Sequence, residues 1–198
     1  MTSLRGTAAA IVLLFGAVPT LVQAQAARIQ FNEYSAKFLC GVVEERGPGS
    51  PVQPGTYATS INIHNPQILP SVTFFKKVVL APPEPIAQKE PVKPSGYHRD
   101  VLGPDFAEHV DCKIIRSMLG PNGGAAFVEG FVVLIVVPLR GAPPTDLDVV
   151  GVYTVGNQQG QDTDLEMLPA AQHTLTFPFA AGTKLRDQML EDSKKEKE

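Results

Sequence analysis

Between Gln30 and Pro178 the apolar positions recur with period two or in short unbroken runs, and Pro and Gly punctuate the spaces between them. Alternation of this kind places successive side chains on opposite faces of a strand. It predicts strands over 34–43 (YSAKFLCGVV), 56–64 (TYATSINIH), 72–80 (VTFFKKVVL), 107–115 (AEHVDCKII), 127–137 (FVEGFVVLIVV) and 147–155 (LDVVGVYTV). A weaker strand is predicted over 173–177 (HTLTF). The separators, among them GPGSPVQPG, NPQILPS, GPNGG and RGAPPTD, carry the residues that turns require. Helical periodicity is absent apart from a weak signal near the C-terminus. Short strands with regular turn signals point to an all-β sandwich or barrel, not to βαβ units. FVVLIVV is apolar on both faces, so it is expected centrally in the sheet, with Pro138 ending it. The Pro-rich segment 81–96 is expected as a stiff surface connection between sheets.

The two ends of the chain follow other rules. Arg5, the apolar run AAAIVLLFGAV and the small residues of VQA and AQA form a secretory signal peptide over 1–24, with the mature chain starting at Gln25 or Ala27. The apolar run contains Pro19 and is shorter than the roughly 20 residues a bilayer-spanning helix needs. The expected destination is therefore the periplasm or the exterior, without stable membrane insertion. At the other end KLRDQMLEDSKKEKE mixes charge signs and offers only Leu185, Met189 and Leu190 as large apolar groups. Residues 179–198 are accordingly expected as a charged flexible tail. The β domain is expected over 28–178.

Composition narrows the partners. With 43% hydrophobic and 19% charged residues the chain can bury a core. A net charge of −3 without a basic stripe argues against nucleic acid.

Cys40 and Cys112 are the only two cysteines. On the predicted strands Cys40 shares a face with Phe38 and Val42, and Cys112 with Val110 and Ile114, so both thiols should point inward. In an oxidising compartment this predicts a Cys40–Cys112 disulfide, the alternative being two buried free thiols. Apolar surroundings raise a thiol pKa, which argues against a nucleophile.

His64 stands in YATSINIHNP, with Ile61 and Ile63 on one face and Asn62 and His64 on the other. It reads as a polar strand-end residue before an Asn65-Pro66 turn, because His98, His109 and His173 show no metal-ligand spacing with it. Asp100, Asp105, Glu108 and Asp111 cluster in sequence. Together with TDLD (145–148) and QDTDLE (161–166) they read as solvated turn carboxylates, since neither stretch is a complete calcium loop. Nucleophile-elbow, phosphate-loop and paired CxxC motifs do not occur. Catalytic, cofactor-binding and metal residues are therefore not assigned, and no cofactor is expected.

The strings PGTYATSINIHNP, FFKKVVLA, LGPDFAEHVDC, GFVVLIVV and LDVVGVYTV together resemble a family of uncharacterised secreted bacterial proteins. The resemblance spans most of residues 34–155. It implies a compact β-sandwich, immunoglobulin-like in the broad sense, and export; it carries no activity. The chain has no Trp to pack on its cysteines as antibody-type domains do. The functional expectation is a non-catalytic binding or accessory protein with a protein or glycan partner. A structural component joined through an exposed edge strand is the alternative, and an enzyme with a loop-built site comes third.

Overall fold

A computed structural model describes residues 27–45, 52–82, 92–139, 142–156 and 163–195. The expected signal peptide and the centre of the Pro-rich segment lie outside these. Among the described residues nine strands follow in chain order: β1 (Arg28–Val43), β2 (Gly55–His64), β3 (Val72–Leu80), β4 (His98–Leu102), β5 (Ala107–Asp111), β6 (Phe127–Val136), β7 (Asp148–Gly156), β8 (Thr163–Pro169) and β9 (Ala171–Pro178). Helix α1 (Cys112–Leu119) and a short 3-10 turn (Gly120–Gly124) follow β5, and helix α2 (Phe179–Lys195) follows β9. Every pairing among the described strands is antiparallel.

The strands form one continuous sheet in the order β4-β3-β6-β1-β2-β7-β8, with β5 also paired to β2 and β9 to β1. Two long strands each share an edge between two partners. Along the β1 edge away from β6, β9 takes residues 28–35 and β2 takes 41–43. Along one β2 edge, β1 takes 55–57 and β5 takes 60–64. The sheet thus has one arm built on β1 (β4-β3-β6-β1-β9) and another on β2 (β5-β2-β7-β8). Apolar side chains of the two arms meet in one core: Phe38 and Cys40 of β1, Phe74 and Val78 of β3 and Leu134 of β6 lie with Ile61 and Ile63 of β2, Val110 of β5 and Val149 of β7.

Between its two partners β1 has a gap, and side chains fill it. The Thr59 hydroxyl accepts the Leu39 N–H and donates to the Leu39 carbonyl, both at 3.0 Å. The Tyr153 hydroxyl donates to the Lys37 carbonyl at 2.9 Å. These bonds satisfy backbone groups that a strand would otherwise have to pair.

The doubly apolar run in β6 is explained by two cores. Val132, Leu134 and Val136 face the core between the arms. Val133 and Ile135 face the opposite side, where Phe31, Phe75 and Met189 cover them. Met189 belongs to α2, so the segment expected as a flexible tail is a helix packed on the sheet, with Met189 fully buried. Its buried stripe is Gly182, Met189 and Ser193, two of them small. A Cβ on Gly182 would come within 1.7 Å of the Ile29 side chain, so glycine sets how closely the helix approaches β1.

A second correction concerns 107–115. Strand β5 stops at Asp111, whose carboxylate accepts the Ile114 N–H at 2.9 Å and caps α1. Ile115 and Leu119, four residues apart, are the buried face of that helix. Cys112 therefore begins a helix and does not lie on a strand face. It still reaches Cys40: the disulfide is formed, with Cα atoms 5.5 Å apart. The bond ties β1 to the segment that follows β5, across the two arms.

Candidate functional site

The residues singled out in the sequence separate into three places. His64, at the end of β2, stands between two carboxylates. Its Nδ1 is 3.2 Å from Asp148, the first residue of β7, and its Nε2 is 3.2 Å from Asp105, in the β4–β5 turn. Asp105 adopts a positive φ of 57°, a conformation that Asp tolerates better than most side chains. The hydrogen bond to Asp105, then that to Asp148, holds the imidazole above its ordinary pKa, against a smaller opposing effect of desolvation. The carboxylates lie on opposite ring nitrogens and do not converge on a point. Among the described residues no group of three or more His, Cys, Asp or Glu side chains is placed to hold a metal ion. With both nitrogens facing acceptors, His64 when protonated clips the β4–β5 turn and the start of β7 to the end of β2.

Beside it Asn65 is completely buried. Its Nδ2 donates to the carbonyls of Gly103 (3.0 Å), Leu102 (3.3 Å) and Pro70 (3.3 Å), and its Oδ1 accepts the Gln67 N–H. Its main chain bonds the β4–β5 turn twice more, accepting the Asp105 N–H and donating to the Phe106 carbonyl. The sequence reading gave Asn65 only a turn-breaking part. An amide at a strand end, followed by Pro, is the available signal, but two of its four side-chain partners, Leu102 and Gly103, lie 37 and 38 residues away.

The acidic cluster of 100–111 disperses. Asp111 caps α1, and Asp105 joins His64. Asp100 of β4 and Glu108 of β5 instead flank Lys76 of β3, whose Nζ contacts Asp100 and lies 3.2 Å from Glu108. Asp146 accepts from the amides of Asn32 and Gln172. The Lys76 triad is largely buried and ties the β3–β4 edge of one arm to β5 of the other.

Lys76 lines a recess of about 440 Å³ with His98, Asp111, Lys113, Ile114 and Met118. A cleft of about 480 Å³ with two tyrosines in its walls opens at the gap in β1. Lys37 and Leu39 form one wall; Tyr57 and Ala58 of β2, Tyr153 to Val155 of β7 and Leu165, Glu166 and Leu168 of β8 form the rest. Tyr153 lies over Gly151, where a Cβ would meet its hydroxyl at 2.5 Å. Burial first, and then the Glu166 carboxylate, raise the Tyr153 phenol above its ordinary pKa, so it remains a donor toward Lys37. Strand β8 ends the sheet. Its Leu165 and Met167 are 63% and 65% exposed, and Leu168 is 46% exposed. A larger groove of about 960 Å³ runs beside Ala27, Leu139 and Ala142. No described helix is long and apolar enough to cross a membrane.

The cleft was not legible in the sequence. QDTDLE (161–166), which β8 overlaps, reads as solvated turn carboxylates, and the alternation of Leu165, Glu166 and Met167 is too short to mark a strand. Comparison with known protein families, with curated proteins and with solved structures finds no match to this chain. The described residues form an antiparallel β protein with a cross-arm disulfide, a helix packed on one face and an aromatic-rimmed cleft beside the β8 edge, which no described strand pairs.

Proposed function

We propose that this chain is an exported, non-catalytic binding or accessory protein that holds a protein or glycan partner in the cleft bounded by Tyr57, Tyr153 and β8. The observation that carries the reading is the cleft itself. Tyrosine rings and leucine side chains are combined there with one cation, Lys37, and one anion, Glu166. Such apolar walls with a few placed polar groups suit recognition. The facing arms support a β-sandwich, immunoglobulin-like in the broad sense, and with it membership of the secreted bacterial family that the strand strings resemble. The disulfide and the N-terminal apolar run support export. The exposed edge of β8 favours a second reading, in which the chain is an assembly component joined to a neighbour strand by strand.

The test is selection of ligands for the purified mature protein from a glycan array and a displayed peptide library. The same selection is run on Tyr153→Ala and Leu168→Glu variants. The expected result is a ligand retained by the parent and lost by both variants. Ligands that both variants bind as well as the parent, or an empty result from both libraries, would overturn the cleft as the binding site.

A further inference from the structure

The geometry points to β8 as an acceptor strand: we propose that a partner protein adds an extended segment to its open edge, apolar on one face and carrying Lys or Arg opposite Glu166. This rests on the reading of the protein as a binding module and deepens it to a partner class.

The Ala170 N–H donates to the Val149 carbonyl at 2.9 Å, continuing the β7–β8 ladder. In an antiparallel pair, hydrogen-bonded and non-bonded positions alternate. Given the register Gly151↔Leu168 and Tyr153↔Glu166, Leu168 and Glu166 direct their amides to β7. Leu165 and Met167 then direct theirs to the open edge. No described strand pairs there. The side chains of these two residues are also the most exposed apolar groups of the strand. Folded proteins normally blunt such an edge with proline, lysine or an inward charge. β8 has proline only at its terminal position, 169, no lysine, and among its described cleft-lining side chains a single charge, Glu166.

A second copy of this chain is a poor occupant. Antiparallel self-pairing that joins the outward amides of Leu165 and Met167 has three registers. Leu165 opposite Met167 sets Glu166 against Glu166, and Leu165 opposite itself sets Glu166 against Asp164. Both place like charges directly across the ladder, which is destabilising. Met167 opposite itself sets Leu165 against Pro169, which has no N–H to give. The net charge of −3 repels a second copy further. A foreign strand has no such conflict. The position opposite Glu166 is a non-bonded pair with the incoming strand, where side chains approach most closely, so a cation there is well placed. Residues flanking it would lie over Leu165 and Met167 on the outer face.

The experiment uses isotope-labelled mature protein and a capped seven-residue peptide of alternating valine and lysine. Amide hydrogen exchange is read with and without millimolar peptide. Leu165 and Met167 should gain protection of about tenfold or more, and the peptide with N-methylated valines should give none. Met167→Pro removes an outward N–H without touching the β7 ladder, and it should abolish binding. Glu166→Lys should weaken the lysine peptide about fivefold or more and create binding to a valine–glutamate peptide. Unchanged exchange at Leu165 and Met167, or indifference to Glu166→Lys, would overturn strand addition. So would a protected β8 edge in a dimer of the chain without peptide. Peptide that protects Leu39 and its cleft neighbours but leaves the β8 edge untouched overturns strand addition while the binding role stands. Loss of the binding role is read independently, from the library selection on Tyr153→Ala.

Discussion

Asn65→Ala is the substitution with the largest expected effect for the fewest atoms removed. The side chain is fully buried, and its two N–H groups are shared among three carbonyls while its Oδ1 accepts the Gln67 N–H. Alanine deletes all of these bonds and leaves the buried carbonyl of Leu102 without this donor. Each such hydrogen bond is worth about 1 kcal/mol net, and a stranded buried polar group costs about 1–3 kcal/mol. The sum is a loss of roughly 3–5 kcal/mol, a large part of the roughly 5–15 kcal/mol that stabilises a typical domain. For a chain of this size Tm should fall by roughly 6–20 °C. Asn62, exposed and three residues earlier on β2, supplies the control, and Asn62→Ala should stay within about 0.5 kcal/mol of the parent. Asn65→Asp should be at least as damaging as alanine at neutral pH, because a carboxylate would face three carbonyl oxygens. The assay is chemical denaturation with the disulfide intact, read by circular dichroism. A loss below about 1 kcal/mol for Asn65→Ala would refute the view that this amide fastens the β2–β3 and β4–β5 turns together.

The Cys40–Cys112 bond closes a sequence separation of 72 residues, for which chain entropy gives roughly 4–5 kcal/mol; reductant should lower Tm by many degrees, and two reactive thiols in unfolded, unreduced protein would contradict the bond. Because His64 is held above its ordinary 6.5, its contribution is complete below that value and fades as pH rises through the raised folded pKa. The stability difference between the parent and His64→Gln should therefore be largest in mild acid and shrink toward alkaline pH, and a difference that does not change with pH would refute the clip. Met189→Ala should cost about 2–5 kcal/mol, and truncation before Lys184 should expose Phe31 and Phe75 and bind a hydrophobic dye; an unchanged denaturation midpoint for both would return the segment to the status of a tail. The intact mass of the exported protein should correspond to a start at Gln25 or Ala27, and a species retaining residues 1–22 would exclude cleavage there.

What the sequence determined by itself was local or set by phase. Period-two alternation in INIH and the doubly apolar FVVLIVV found β2 and the central β6, because burial on one or both faces writes itself directly into side-chain order. The disulfide was legible because two cysteines allow one intramolecular pairing and Phe38 shares the phase of Cys40. The strand reading of Cys112 was nevertheless wrong: Asp111 caps a helix there, and two adjacent isoleucines fit a strand and a helix equally well over so few residues. The helix α2 was missed because Gly182 and Ser193, small residues allowed by close approach to β1, replace the large apolar groups that would have marked its buried face. Only the tertiary structure could decide the rest. His64 meets Asp105 and Asp148 across 41 and 84 residues, Asn65 finds carbonyls 37 and 38 residues on, and Thr59 and Tyr153 fill a gap in β1 that exists only because β9 and β2 share its edge. Such contacts are fixed by strand order and register, and the periodicity of one strand holds no information about which strand lies beside it.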